Sequence, residues 1–187
     1  MRCLLCLKPS LGYICRECDE AIKARPRVHT LRDLEAITFY DYDDIAPLTY
    51  AKYYPFGAFA LKRLAIKAFK PFFRDLKLEN AAALIPIDDR LGAWYSHSAV
   101  LAKAGADGMV TPRFGRLRAQ SKERYAGKTF AFRAAHPRRF AFKGFAEQNA
   151  ILLDDLITTG TTLLEAAFTL EKNGKNPLFA VALTHAQ

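Results

Sequence analysis

The chain has 187 residues, 51% of them hydrophobic and 12% aromatic, which suits one sizeable core with a small appendage. No apolar run approaches the roughly 18 to 20 residues that span a bilayer, and MRCLLCLKPS lacks an h-region with a cleavage site, so a soluble, cytoplasmic protein without membrane insertion is expected. The net charge of +9 points to a polyanionic partner, although basic composition alone governs solubility and non-specific binding rather than fold.

All four cysteines lie near the N-terminus, as Cys3-x-x-Cys6 and Cys15-x-x-Cys18 separated by eight residues. Two such pairs can place four thiolates around one tetrahedral zinc, with no position left for water, which predicts a structural metal rather than a disulfide framework. Residues 1–25 are therefore expected to form a zinc module that the metal folds, and residues 26–187 the main domain. A short helix is predicted over Asp19 to Arg25, ended by Pro26.

The alternating runs ITFYDYD and LTYAKYY on either side of DIAP predict an antiparallel hairpin. Gly57 to Phe69 has the spacing of an amphipathic helix stopped by Pro71, with Lys62, Arg63, Lys67 and Lys70 on its wet face. Next come a strand in AAALIPI, a turn at DDR, a helix from Ala93 to Ala104 stopped by Gly105, and a strand in GMVTPRF. After a basic stretch follow the strand AILLDD, a helix from Thr161 to Lys172 with Gly174 behind it, and the strand LFAVALTHA. This order predicts an α/β fold with a parallel sheet and helices on both faces, whose ligands bind beyond the carboxyl ends of the strands.

Two acids leave such a strand at Asp154 and Asp155 and are followed by LITTGTTL. Gly160 lets the backbone come close, successive N–H groups point to a helix N-terminus, and Thr158, Thr159 and Thr162 add hydroxyl donors, so the loop is suited to hold a phosphate. It lacks the lysine of GxxxxGK[ST] and the spacing of GxGxxG, which argues against an ATPase P-loop and a dinucleotide site.

The run from Asp154 to Thr162 resembles the PRPP-binding motif of the type I phosphoribosyltransferases. That resemblance implies that Ile157, Thr158, Thr159, Gly160, Thr161 and Thr162 grip the 5-phosphate and that Asp154 and Asp155, the candidate catalytic residues, hold the ribose hydroxyls. It also implies that the loop with Asp88, Asp89 and Arg90, after the first core strand, meets the pyrophosphate together with magnesium, Arg90 reading either as a pyrophosphate contact or as a surface charge. The reaction class would be displacement of pyrophosphate through an oxocarbenium-like centre, which nearby carboxylates stabilise.

The order of modules, with the four cysteines first and DDLITTGTT last, is similar to that of the ComF, or GntX-like, competence proteins. Membership would imply cytosolic handling of single-stranded DNA in natural transformation, beside a helicase-like partner protein of the same system. Where members carry Arg-Gly-Phe-Asn-Gln this chain has Gly92-Ala93-Trp94-Tyr95-Ser96-His97, in which His97 reads either as a base or as a surface residue.

From Arg113 to Lys143 ten cations face one acid, Glu123. Arg113, Arg116, Arg118, Lys122, Arg124, Lys128, Arg138 and Arg139 are the candidate DNA contacts, and the interleaved phenylalanines serve either for base stacking or as the inward face of a strand. Two further readings stay open, a base-salvage phosphoribosyltransferase and a non-catalytic PRPP-binding adaptor.

Overall fold

The structure, a computed structural model, describes residues 1–87, 94–121 and 138–186. Its centre is a mixed, mostly parallel sheet whose strands are β1 (Arg27–Leu31), β2 (Leu34–Tyr40), β3 (Ala82–Pro86), β4 (Val110–Pro112), β7 (Asn149–Leu153), β8 (Leu156–Ile157) and β9 (Asn176–His185). The order across it is β1-β2-β9-β7-β3-β4, with β8 also paired to β9. Only β1 with β2 runs antiparallel; the pairs β2 with β9, β9 with β7, β7 with β3, and β3 with β4 are parallel.

Strand side chains alternate, so each central strand feeds two cores. Leu84, Ile151, Leu153, Val181 and Leu183 face α3 (Gly57–Asp75) and α4 (His97–Gly105), while Ile85, Leu152 and Ala182 face the other side. That second side is covered by α5 (Thr161–Lys172) and by a separate two-stranded ribbon, β5 (Leu117–Ala119) with β6 (Phe140–Phe142). Helices thus lie on both faces. Helices α3 and α4 approach closely because Gly105 has no side chain: a Cβ there would stand 2.5 Å from the Cβ of Phe69.

The hairpin predicted around DIAP is displaced by one arm. Its strands are β1 and β2, joined through Leu31 and Leu34 with Arg32 left-handed at φ 53, and the expected second arm is instead α2 (Tyr42–Tyr50) followed by a 3₁₀ turn at Ala51–Tyr53. Helical spacing prevails there because Ile45, Leu48 and Thr49 bury one face. Pro71 does not stop α3 either. The helix runs on to Asp75, and the burial of Phe73 at 1% exposure, worth about 1.5 to 3 kcal/mol, offsets much of the missing N–H bond.

The first helix, α1 (Arg16–Ala21), starts earlier than predicted because the Cys15 side chain caps it by accepting from the Cys18 N–H. Helix α4 begins at His97 with Ser96 as its cap, Ala93 lying outside the described residues, and Gly105 is its last residue rather than the stop. Helix α5 has the predicted bounds, and Gly174 follows it at φ 72. Among the described residues no helix is long and apolar enough to cross a membrane.

Candidate functional site: an acid pair at the sheet edge and a four-cysteine cluster

Asp154 and Asp155 leave β7 at its carboxyl end and are fixed there by backbone bonds to β9. The Asp154 N–H donates to Val181 O at 3.0 Å, and Asp155 O accepts from Leu183 N–H at 3.1 Å. Asp155 is buried at 4% exposure, and its own N–H donates to Asp154 Oδ1 at 2.8 Å. Two side chains converge on its carboxylate. Lys52 Nζ, from the 3₁₀ turn, donates to Oδ2 at 2.5 Å, and His97 Nε2, at the start of α4, lies 3.5 Å from Oδ1.

The two acids are pushed in opposite directions. For Asp154, burial and then the charge of Asp155 raise the pKa to about 8, which favours its protonated form toward neutral pH. Burial acts on Asp155 too, but Lys52 and then His97 outweigh it and hold it ionised down to about 2. For Lys52, burial opposes its charge and the carboxylate of Asp155 restores it, leaving the pKa raised. One acid accepts and the other can donate. Beside them the hydroxyl of Tyr95 is buried without a hydrogen-bond partner among the described residues, and Gly57 leaves it room, since a Cβ there would stand 2.7 Å away.

From Asp155 the chain passes through β8 into the threonine loop. Gly160 caps α5 in the left-handed region, at φ 70, and a Cβ there would meet the Leu31 side chain at 2.9 Å. The Thr159 and Thr161 hydroxyls lie 2.8 Å apart, Thr162 is half-buried in the first turn, and His185 Nε2 lies 3.1 Å from Thr158 O. Ile157, between acids and loop, is buried and pairs with His185 on β9. The helix N-terminus and the acid pair therefore sit together at the carboxyl end of the central strands. Asp88, Asp89 and Arg90 lie outside the described residues; the chain enters that stretch from Ile87, whose N–H donates to Leu153 O at 2.9 Å.

At the N-terminus, the Sγ atoms of Cys3, Cys6, Cys15 and Cys18 lie within 4.8 Å of one another. Cys6 and Cys15 are 3.7 Å apart, close to the edge of about 3.8 Å that four bonds of about 2.3 Å give a tetrahedron. The Cys15 N–H points at Cys3 Sγ at 3.3 Å and the Cys18 N–H at Cys15 Sγ at 3.5 Å. Burial disfavours the Cys3 thiolate, yet the backbone N–H groups of Cys15, Cys6 and Leu5 bring it down to about 6; burial and then the neighbouring thiols push Cys18 up to about 12. Such a group fits a metal ion, whose charge lets all four ionise together.

In the described part of the basic segment some cations are tied to the protein and others, Arg118, Arg139 and Lys143, are exposed. Arg113 is clamped to Glu147, through Nε at 2.9 Å and 3.1 Å and also through Nη2. Arg116 donates to Gly144 O at 2.7 Å, and the backbone N–H groups of Arg138 and Arg139 donate to the Glu165 carboxylate on α5 at 2.9 Å and 2.5 Å. Phe140 packs in the core while Phe142 is half-buried, the inward face of a strand; Arg118 is exposed. Lys122, Arg124 and Lys128 lie outside the described residues.

Comparison with protein-family models and with curated proteins returned no match. The site must be read from its own chemistry. Sequence reasoning missed Lys52, which reaches Asp155 across 103 positions from a segment read as a strand, and no local pattern marks it.

Proposed function

We propose that this chain is a nucleic-acid-handling protein of the ComF type, which binds single-stranded DNA in the cytosol during transformation and carries a site for PRPP. The observation that supports the ribose site is the junction of an adjacent acid pair, one member gripped by Lys52, with a left-handed glycine and a helix N-terminus at the carboxyl end of the sheet. There the ionised Asp155 accepts from a ribose hydroxyl, the protonated Asp154 donates or accepts, and the loop from Thr158 to Thr162 supplies N–H and hydroxyl donors to the 5-phosphate. Magnesium would neutralise the pyrophosphate, with Asp88, Asp89 and Arg90 the residues assigned to it.

In this reading Cys3, Cys6, Cys15 and Cys18 hold a structural zinc, and a helicase-like protein of the same system is the partner. Net charge of +9 supports binding to DNA. The test is calorimetric titration with PRPP and magnesium. Binding is expected in the zinc-loaded protein and its loss in the double variant Asp154→Asn, Asp155→Asn; no binding by the folded wild type overturns the ribose site. DNA affinity that stays unchanged from about 50 to 300 mM salt overturns the nucleic-acid half.

A further inference from the structure

Aromatic rings pack in two different ways in this molecule. In the core they meet edge to face or tilted: Phe39 with Phe69 at 73°, Phe39 with Phe72 at 75°, Phe72 with Phe73 at 62°, and Phe69 with Phe73 at 47°. On the surface four rings instead form a parallel column. Tyr54 lies on Phe56 at 5.3 Å and 6°, Phe56 on Tyr13 at 5.4 Å and 14°, and Tyr13 on Phe59 at 5.4 Å and 26°. The outer members remain open, Tyr54 at 56% exposure and Phe59 at 63%.

The column leads onto a charged helix face. Phe59, Arg63, Lys67, Lys70 and Arg74 recur at steps of four, four, three and four along α3, which places them within an arc of about 80° over about 22 Å. The acids that meet this face are Asp19, bound by Arg63 at 2.8 Å and 2.5 Å and 3.7 Å from Lys67, and Asp75, which accepts from Arg74 at 3.1 Å. Among the described residues four cations thus stand against two carboxylates, and Lys67 also donates to the Asp19 carbonyl. Two depressions follow the same helix in succession, one of about 530 Å³ between Tyr13, Arg16, Asp19, Phe59 and Arg63, the other of about 450 Å³ beside Lys67, Pro71, Phe72, Asp75 and Lys77.

We infer that this column and the basic face of α3 form the track for single-stranded nucleic acid, with bases stacking on the open ring faces and phosphates following the cations. Parallel rings present flat π-faces that accept any base, which an apolar protein surface does not require, and the cation spacing supplies backbone neutralisation over a length in scale with single-strand sites of about 4 to 16 nucleotides. An apolar partner would have to desolvate the charges of Arg63, Lys67 and Lys70. The inference rests on the nucleic-acid reading above but moves the strand from the β5–β6 region to the cysteine-module side of the molecule.

The test uses the full zinc-loaded chain, a labelled oligothymidylate of about 20 nucleotides and an abasic strand of equal length. Tyr54→Ala and Phe59→Ala are each expected to weaken oligothymidylate binding about tenfold while changing abasic binding less than about twofold. Lys70→Glu weakens both strands and lowers the salt slope. Phe59→Leu keeps apolar packing without the π-face and behaves like Phe59→Ala if stacking is the cause. Ring variants that bind oligothymidylate like wild type, with Arg138→Glu and Arg139→Glu losing it, overturn the track alone. A wild type that binds neither strand overturns the nucleic-acid reading itself, and equal losses on both strands in the ring variants overturn base stacking.

Discussion

Lys52 is the residue on which the acid pair depends. Its Nζ and the Asp155 carboxylate are 15% and 5% exposed in their side chains, so neither is well solvated and each needs the other. Lys52→Met leaves a carboxylate buried beside a second acid, and is expected to lower the unfolding free energy in urea by about 3 kcal/mol. Adding Asp155→Asn should recover most of that loss, whereas two additive losses would show that the pair is not coupled. The pH dependence follows from Asp154. A carboxyl raised from 3.8 to about 8 on folding binds its proton in the folded chain across that window, so it makes stability fall as pH rises through it. Asp155 has the opposite sign, its contribution being present above 3.8 and lost as pH falls toward about 2. Between about pH 6 and 8 the urea midpoint of wild type should therefore decline more steeply than that of Asp154→Asn. Parallel curves would contradict the raised value.

Among the elements, the cysteine module meets the main core through side chains that are mostly only half-buried. Cys3 alone of its first eighteen residues is fully buried; Leu4, Leu5 and Ile14 pack half-buried against the core, Tyr13 stacks on Phe59 of α3, and Arg63 and Lys67 of α3 hold Asp19. Cys15→Ser should therefore release the metal and expose the module to protease at a site before Pro26, leaving the sheet folded; a metal-loaded, protease-resistant variant would refute this. Packing of α3 on α4 gives a second check. Gly105→Val forces Phe69 away and should cost at least about 1 to 3 kcal/mol in urea. How far such features could be read from sequence depends on the range of the forces that make them. The bounds of α5 and the acid-threonine run were legible because a buried strand, a turn and a helix succeed one another within some twenty residues, from Asn149 to Lys172. The hairpin was misplaced because Arg27 to Leu31 carries no apolar alternation and Arg32-Asp33 is no glycine turn, so only pairing with β2 defines the strand. Pro71 misled because its local penalty is outweighed by tertiary burial of Phe69 and Phe73. Lys52 reaches Asp155's surroundings from one segment and Tyr95 and His97 from another, and no single stretch records their meeting.

Across the whole molecule, one short segment touches both proposed sites. Lys52 grips Asp155 at the carboxyl end of the sheet, and two residues later Tyr54 opens the ring column that runs through Phe56 to Tyr13 of the cysteine module. A ligand that draws Asp155 toward a ribose must compete with Lys52 for the same carboxylate, so its binding changes the restraint on the 3₁₀ turn at Ala51–Tyr53. The rings carried by that turn then gain or lose preorganisation for a strand. Linkage makes the effect reciprocal: whatever factor PRPP with magnesium applies to oligothymidylate affinity, oligothymidylate must apply to PRPP affinity. A factor of about five or more, in either direction, is the expected size for a coupling of about 1 kcal/mol. Lys52→Arg keeps the ion pair and should keep the coupling; Lys52→Met removes the restraint and should bring the factor toward one while both ligands still bind. Equal oligothymidylate affinity with and without saturating PRPP in wild type would show that the segment joins the two sites in space but not in energy.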